Sequence, residues 1–312
     1  MYPSAVRKAV IDVGSNSVLL VIGEIRDGGL NVVAESSRVT GLGEGTKRTG
    51  VLSEAGMERT LAALSEFFLK ALSSGASEVR AWATMAARIA SNTSEFQRRA
   101  EAQGTPVEVL SGEDEAEYGF RAVANDPIFS RARRISIIDP GGQSTEIVTA
   151  DRSDSGWDLR FRRSFPIGTL ALRDGALSNE TPTPGEVLEA VREIDTAIGL
   201  EYLPGACGAV AVLGASGTNL VTVKLKMPEW DAERVHGHVL DFEEVSRAFG
   251  WLSSFTEKAR SEIVGLEPGR EGTIHLGALI LERFMHAMHT ADVIVSTRGW
   301  RHSLLMAELS KS

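Results

Sequence analysis

The chain has 312 residues, 43% of them hydrophobic and 24% charged, with a formal net charge of −9 from 33 basic and 42 acidic side chains. That composition excludes global disorder, and the length makes two domains the natural expectation. The acidic balance argues against a nonspecific nucleic-acid binder, no window approaches the ~20 apolar residues of a membrane span, and Met1–Val10 lacks the apolar stretch of a signal peptide.

In chain order, the apolar β-branched runs around Val10-Ile11 and Val18–Ile22 predict two strands joined through a Gly14–Ser17 turn. Asp27-Gly28-Gly29 signals a hairpin into a strand at Leu30–Ala34, and Gly41-Leu42-Gly43-Glu44-Gly45 a flexible loop. Ser53 and Glu54 open a helix whose apolar side carries Met57, Leu61, Leu64, Phe68 and Leu72, and Gly75 ends it. A strand at Val79–Ala83, a helix from about Ser94 and a strand at Val107–Leu110 complete an alternating α/β pattern. The acidic run from Ser111 to Glu117 begins the next helix, where the macrodipole favours acids and Ser111 can cap with Asp114.

The second half repeats this opening. Arg134–Ile138 runs into Asp139-Pro140-Gly141-Gly142-Gln143-Ser144, and Glu146-Ile147-Val148 continues as a strand. Asp12-x-Gly14-x-x-Ser17 and Asp139-x-Gly141-x-x-Ser144 share their offsets. Each is followed by a hairpin signal (Asp27-Gly28-Gly29; Asp154-Ser155-Gly156) and a glycine-bearing loop (Gly41-Leu42-Gly43; Pro166-Ile167-Gly168). The shared order indicates an internal duplication. Farther on, a helix runs from Pro184 through Ala197, and a strand at Val210–Leu213 empties into Gly214-Ala215-Ser216-Gly217-Thr218. Asp241 caps a helix to Phe255. A long apolar helix at Thr273–Met288, a strand at Val293–Ser296 and a helix at Arg301–Leu309 close the chain. Expected domains are 1–125 and 126–312, with the last helix packing back on the first lobe. Cys207 is the only cysteine, so no intramolecular disulfide can form and a thiolate zinc cluster is excluded; the expected setting is the reducing cytoplasm.

The glycine-rich turns Gly14–Ser17, Gly141–Thr145 and Gly214–Thr218 each follow an apolar strand, a geometry in which backbone N–H groups and hydroxyls converge on phosphate oxygens. None carries Gly-Lys-Ser or Gly-x-Gly-x-x-Gly, which disfavours P-loop and Rossmann readings. Asp12 and Asp139 occupy equivalent strand ends, with Glu146 seven residues beyond Asp139. Carboxylates beside phosphate call for a cation, and Mg²⁺ suits one or two of them plus phosphate oxygens. His236 and His238 read as a surface loop, and His275 as a satisfied core histidine. The basic runs Arg131-Ala132-Arg133-Arg134 and Arg160-Phe161-Arg162-Arg163 read, each alone, as solvated rims. Together these features leave hydrolysis and phosphoryl transfer both open.

Five ordered motifs also carry a resemblance: Ile11–Ser17, Ala83–Arg88 with Asn92, Leu110–Ala116, Asp139-x-Gly141-Gly142-x-Ser144-Thr145-Glu146, and Gly214–Thr218. In this order they resemble the exopolyphosphatase/guanosine pentaphosphate phosphatase (Ppx/GppA) family over nearly the whole chain, in its short two-domain form. The resemblance implies a duplicated actin-like (ribonuclease-H-like, ASKHA) α/β fold of two lobes with a cleft between them. It implies magnesium-dependent hydrolysis of a terminal phosphoanhydride, with inorganic polyphosphate or guanosine pentaphosphate as substrate. It gives Glu115 the role of general base toward water, Arg88 that of charge balance on the transferring group, and Asp139 and Glu146, with Asp12 as a weaker candidate, the metal. Gly14, Ser15, Asn16, Ser17, Gly141, Gly142, Gln143, Ser144 and Thr145 then fall to phosphate, with Gly214, Ser216, Gly217 and Thr218 of the third turn. It also implies a homodimer. Gln143 replaces the third glycine of the family pattern, Pro140 an apolar residue and Leu19 an Arg or His, and Arg298-Gly299 lacks the usual following Glu-Gly. A noncatalytic polyphosphate or alarmone sensor and an actin-fold kinase are the alternative classes.

Overall fold

A computed structural model describes residues 6–199 and 208–311; Cys207 lies outside the described residues. The chain divides into two compact units, one formed by 1–122 with 300–312 and the other by 123–299. No described helix is long and apolar enough to cross a membrane.

The first unit is a five-stranded sheet built from β1 (Arg7–Val13), β2 (Ser17–Arg26), β3 (Gly29–Val39), β4 (Ala76–Ala83) and β5 (Val107–Val109), in the order β3-β2-β1-β4-β5. The first three strands are antiparallel, and β4 and β5 run parallel to β1. Parallel neighbours need a crossover, here the helix Glu54–Ser73 between β3 and β4. Ser53 caps that helix by accepting the Gly56 N–H. Its core face carries Met57, Leu61, Leu64 and Phe67, whereas Phe68 is only partly buried and Leu72 is exposed, a correction to the expected stripe.

Alternation along β1 sends Ala9, Ile11 and Val13 toward that helix, while Val10 lies on the opposite face with Val21 and Trp82. Trp300, Leu304, Leu305 and Leu309 of the helix Trp300–Leu309 cover this second face. Burying such a leucine stabilises by about 1.5–3 kcal/mol relative to leaving it exposed. The helix is also tied by charge, because the Arg301 guanidinium and His302 Nε2 each lie 3.0 Å from Glu35 Oε1.

The second unit holds β6 (Arg134–Pro140), β7 (Thr145–Ser153), β8 (Gly156–Phe165), β9 (Ala209–Val212), β10 (Val239–Asp241) and β11 (Asp292–Val295), ordered β8-β7-β6-β9-β11-β10. With β6, β7, β8, β9 and β11 set in place of β1 to β5, order and direction repeat, and antiparallel β10 is the addition. The correspondence reaches single residues. Asp12 pairs with Leu19 and Asp139 with Glu146, and the bulges between the second and third strands, at Ile22/Gly23 and Thr149/Ala150, follow the aspartates at the same distance. This is the duplicated actin-like fold.

Other expectations need revision. The Gly41–Gly45 segment is a packed support: Leu42 has no exposure, the Thr40 and Gly41 N–H groups donate to the Asn16 carbonyl, and Gly43 N–H donates to that of Ser15. Gly214–Thr218 is the first part of the helix Gly214–Lys224. His275 is buried as expected, yet neither ring nitrogen has a partner among the described residues. Burial, and then the charges of Arg260 and Arg173, lower its pKa to about 3, so it is a neutral side chain. His236 is no plain surface residue, since its Nε2 lies 3.1 Å from Asp126 Oδ2 and its Nδ1 accepts the Thr297 N–H.

Burial opposes the ionisation of Glu35, but the hydrogen bond and charge of His302, and then Arg301, outweigh it and lower its pKa from 4.5 to about 2. A carboxylate more acidic in the folded than in the unfolded chain contributes stability above pH 4.5 that is lost as pH falls toward about 2, at most about 3 kcal/mol. Denaturant unfolding at pH 7, 4 and 3 should show Glu35→Gln less stable than wild type at neutral pH, with the difference shrinking at acid pH. A difference that stays constant across the series contradicts this role.

Candidate active site

The two aspartate turns are built alike. Gly14 N–H donates to the Ser17 carbonyl at 2.9 Å and Gly141 N–H to that of Ser144 at 2.8 Å. A Cβ at either glycine would lie 3.0 Å from the same carbonyl oxygen, which is why neither position carries a side chain. The segment after the third strand braces each turn. Gly43 N–H donates to the Ser15 carbonyl and Leu170 N–H to the equivalent Gly142 carbonyl, both at 2.7 Å. Gly168 packs so tightly on this turn that a Cβ there would meet Gly142 at 2.4 Å.

In the first unit the turn leads directly to charged chemistry. Ser15 Oγ accepts the Ala86 N–H at 3.2 Å, fixing the start of the short helix Met85–Ile89. That helix carries Arg88, which donates to Glu115 Oε2 at 2.7 Å and to the Leu110 carbonyl at 2.9 Å. Glu115 sits in the first turns of the helix Gly112–Ala124, where Ser111 Oγ accepts the Asp114 N–H. The side chains of Arg88 and Glu115 keep only 19% and 16% of their exposure, so the pair is reachable but partly desolvated. Asn16 Nδ2 and Ser17 Oγ are buried with no partner among the described residues. Buried polar atoms without partners are uncommon and suit a ligand that brings acceptors. Asp12 is buried on the same strand end, and its cross-strand partner is the apolar Leu19.

The second unit differs at that position. Asp139 and Glu146 are directly opposed across β6 and β7, which places both side chains on one face of the sheet. Glu146 Oε1 accepts from Ser144 Oγ at 2.6 Å and from Ser164 Oγ at 2.7 Å, so its carboxylate is held in place. Beside it, Gly214 has a φ of +74°, and a Cβ there would lie 2.9 Å from Asp139 Oδ1. Two adjacent carboxylates fit the Mg²⁺ mode in which substrate oxygens and water complete the shell. Among the described residues no group of three or more His, Cys, Asp or Glu side chains forms a protein-only metal cage.

Not every candidate shares this setting. Thr145 Oγ1 is committed to the Ile167 carbonyl at 2.7 Å, and Gln143 is 3% exposed, so its long side chain is folded inward. Pro140 lacks an N–H, and the β6–β9 pairing ends at Ile138–Val212, whereas β1–β4 continues to Val13–Ala83. Ser216 faces the helix Ile274–Ala287, where a Cβ on Gly277 would meet its Oγ at 2.4 Å, and Gly217 packs on Val212. Gly214 remains at the open end of its helix, whose first N–H groups lack intrahelical acceptors, whereas Thr218 Oγ1 turns back toward the Gly214 and Ala215 carbonyls, at 3.5 and 3.4 Å. Ser164 was not singled out from the sequence. Only the β7–β8 register, which sets it opposite Glu146, reveals it.

The sequence model of the Ppx/GppA phosphatase family matches residues 21–312. The chain belongs to this family. It is 30% identical to exopolyphosphatase 2 of Mycobacterium tuberculosis over 313 residues, covering 96% of each chain, and 28% identical to exopolyphosphatase 1 of the same organism, covering 97% of this chain and 88% of that one. The crystal structure of the Ppx/GppA family member of Aquifex aeolicus is similar with a TM-score of 0.78 at 30% identity, covering 99% of both chains. An exopolyphosphatase from Cytophaga hutchinsonii shares the fold, with a TM-score of 0.84 at 22% identity over 98% of both. As a Ppx/GppA member the protein is a phosphoanhydride hydrolase.

The glycine at position 214 separates two effects. Gly214→Ala combines a strained φ with a contact on Asp139 and should cost about 1–3 kcal/mol and also lower phosphate release per folded molecule. Gly217→Ala crowds Val212, whose side chain would lie 2.9 Å from the new Cβ, and should lower the melting temperature while leaving turnover of the folded fraction near wild type. Equal turnover in both folded variants would remove Gly214 from the site.

Proposed function

We propose that this protein is an exopolyphosphatase that releases terminal phosphate from inorganic polyphosphate with Mg²⁺, using water activated by Glu115. The observation that carries this reading is the connected series Ser15–Ala86–Arg88–Glu115, which ties the glutamate to the turn by two hydrogen bonds, of 3.2 and 2.7 Å, and one brief helix. The backbone N–H groups and hydroxyls of Gly14–Ser17 and of Gly141–Thr145 bind phosphate oxygens, the buried donors of Asn16 and Ser17 finding acceptors there. Asp139 and Glu146, with Asp12 as the weaker candidate, would hold the metal, which would supply charge neutralisation to the phosphoanhydride.

Glu115 orients a water and takes its proton as the oxygen attacks phosphorus. A weakly basic carboxylate suffices when the water is positioned. Arg88 holds Glu115 in one orientation and offers its remaining N–H groups to charge on the transferring phosphoryl group as its bond to the shortened chain breaks. A cytoplasmic setting, in keeping with the single cysteine, and a homodimer complete the reading.

Phosphate release from polyphosphate with Mg²⁺ tests it. Glu115→Gln keeps an acceptor for Arg88 and should reduce kcat by about 10²–10⁴-fold with little change in melting temperature or KM. Arg88→Lys should reduce kcat less than Glu115→Gln does. Wild-type activity in Glu115→Gln would exclude it as the base, and wild type inert toward polyphosphate and guanosine pentaphosphate alike would leave a binding protein instead.

A further inference from the structure

Three residues in register form a row across the sheet of the second unit. Asp139 on β6 faces Glu146 on β7, and Glu146 faces Ser164 on the edge strand β8. Directly paired residues present their side chains on one face of a sheet, so the row is two carboxylates ended by a hydroxyl. The neighbours of Ser164 take the other face. Phe165 belongs to the core, and Arg163, opposite the core residue Ile147, stacks over the Phe165 ring at 4.8 Å. The first unit has the same row as Asp12, Leu19 and Ser37, and there the middle position offers no carboxylate to a cation or to the serine.

The way Glu146 is held decides how it can bind. Ser164 Oγ donates to its Oε1 at 2.7 Å, and Ser144 Oγ donates to the same oxygen at 2.6 Å. A carboxylate oxygen has two lone-pair sites, and two hydroxyl hydrogens fill both of those on Oε1. Glu146 therefore presents a cation with one oxygen, Oε2, rather than with the pair. That difference separates metals. Mg²⁺ is small, demands octahedral geometry and is satisfied by one or two carboxylates with water and phosphate oxygens. Ca²⁺ gathers about six to eight oxygens and gains from a carboxylate that can bind through both of its own.

We propose that Ser164 is a positioning residue which, with Ser144, restricts Glu146 to one oxygen and so sets the preference of the site for Mg²⁺ over Ca²⁺. The inference rests on the metal site of the proposed function, and not on its substrate or on turnover. The test reads cation binding to substrate-free protein, as displacement of Mn²⁺ followed by electron paramagnetic resonance, with Mg²⁺ and Ca²⁺ as competitors. Ser164→Ala opens one lone pair of Oε1 and should raise the affinity for Ca²⁺ relative to Mg²⁺ about tenfold, in the range that partners of metal ligands command. Ser164→Thr keeps the hydroxyl and should retain the wild-type ratio. Thr149→Val removes a buried hydroxyl three residues along β7, where it pairs with Ser136 Oγ at 2.8 Å, and should lower the melting temperature without moving the ratio. An unchanged ratio in Ser164→Ala overturns the proposal, even where both affinities fall together, because Ser164 is then a general support. A wild type that binds no cation, or a Glu146→Gln variant that binds as wild type does, overturns the proposal and the metal reading with it. Turnover is measured separately. A wild type with the expected selectivity but inert toward polyphosphate and guanosine pentaphosphate supports this inference and removes the proposed activity.

Discussion

A backbone hydrogen bond across four residues organises both units. Glycine two positions after the aspartate gives its N–H to the carbonyl of the serine three residues farther on, at a separation that leaves no room for a Cβ. Closing the turn this way fixes which residue faces which across the first two strands, because a one-residue slip would reverse every side chain between faces. Asp12 is thereby set against Leu19, and Asp139 against Glu146. The bracing segments at Gly43 and Gly168–Leu170 then hold each turn in place.

A common frame does not mean equal chemistry. In the first unit the partner of the strand-end aspartate is apolar, and an ion pair is connected to the turn instead, through Ser15 and the Met85–Ile89 helix to Arg88 and Glu115. In the second unit the partner is a glutamate fixed by two serine hydroxyls. The duplication thus supplies two copies of a glycine-closed aspartate turn, one leading to an acid–arginine pair and one beside a carboxylate pair. Gln143 and Pro140, the departures from the family pattern in the second turn, are absorbed by burial of the amide and by an earlier end to the β6–β9 pairing.

Much of this was readable in the sequence, for identifiable reasons. The aspartate turns, the hairpins and the duplication are local patterns in which glycine, apolar alternation and spacing act within a few residues. What escaped depends on residues far apart in the chain. Ser164 gains its role only from a bulged register, and the two arginine runs looked like separate rims because their common partner, Asp151, lies between them in space. Gly214–Thr218 looked like a turn because glycine and small polar residues also start helices, and tertiary packing of Ser216 against Gly277 settles which. The apolar stripe of Glu54–Ser73 was misplaced by one position at Phe67, where helical rotation over several turns outruns a simple i, i+4 count.

Amide hydrogen exchange bears most directly on the claim that both aspartate turns bind phosphate. Measured on the Glu115→Gln protein with Mg²⁺, with and without polyphosphate, it should show added protection at residues 14–17 and at 141–145 alike, with little change at the Glu54–Ser73 helix. Protection confined to one turn, or absent from both while polyphosphate is bound, would contradict the account.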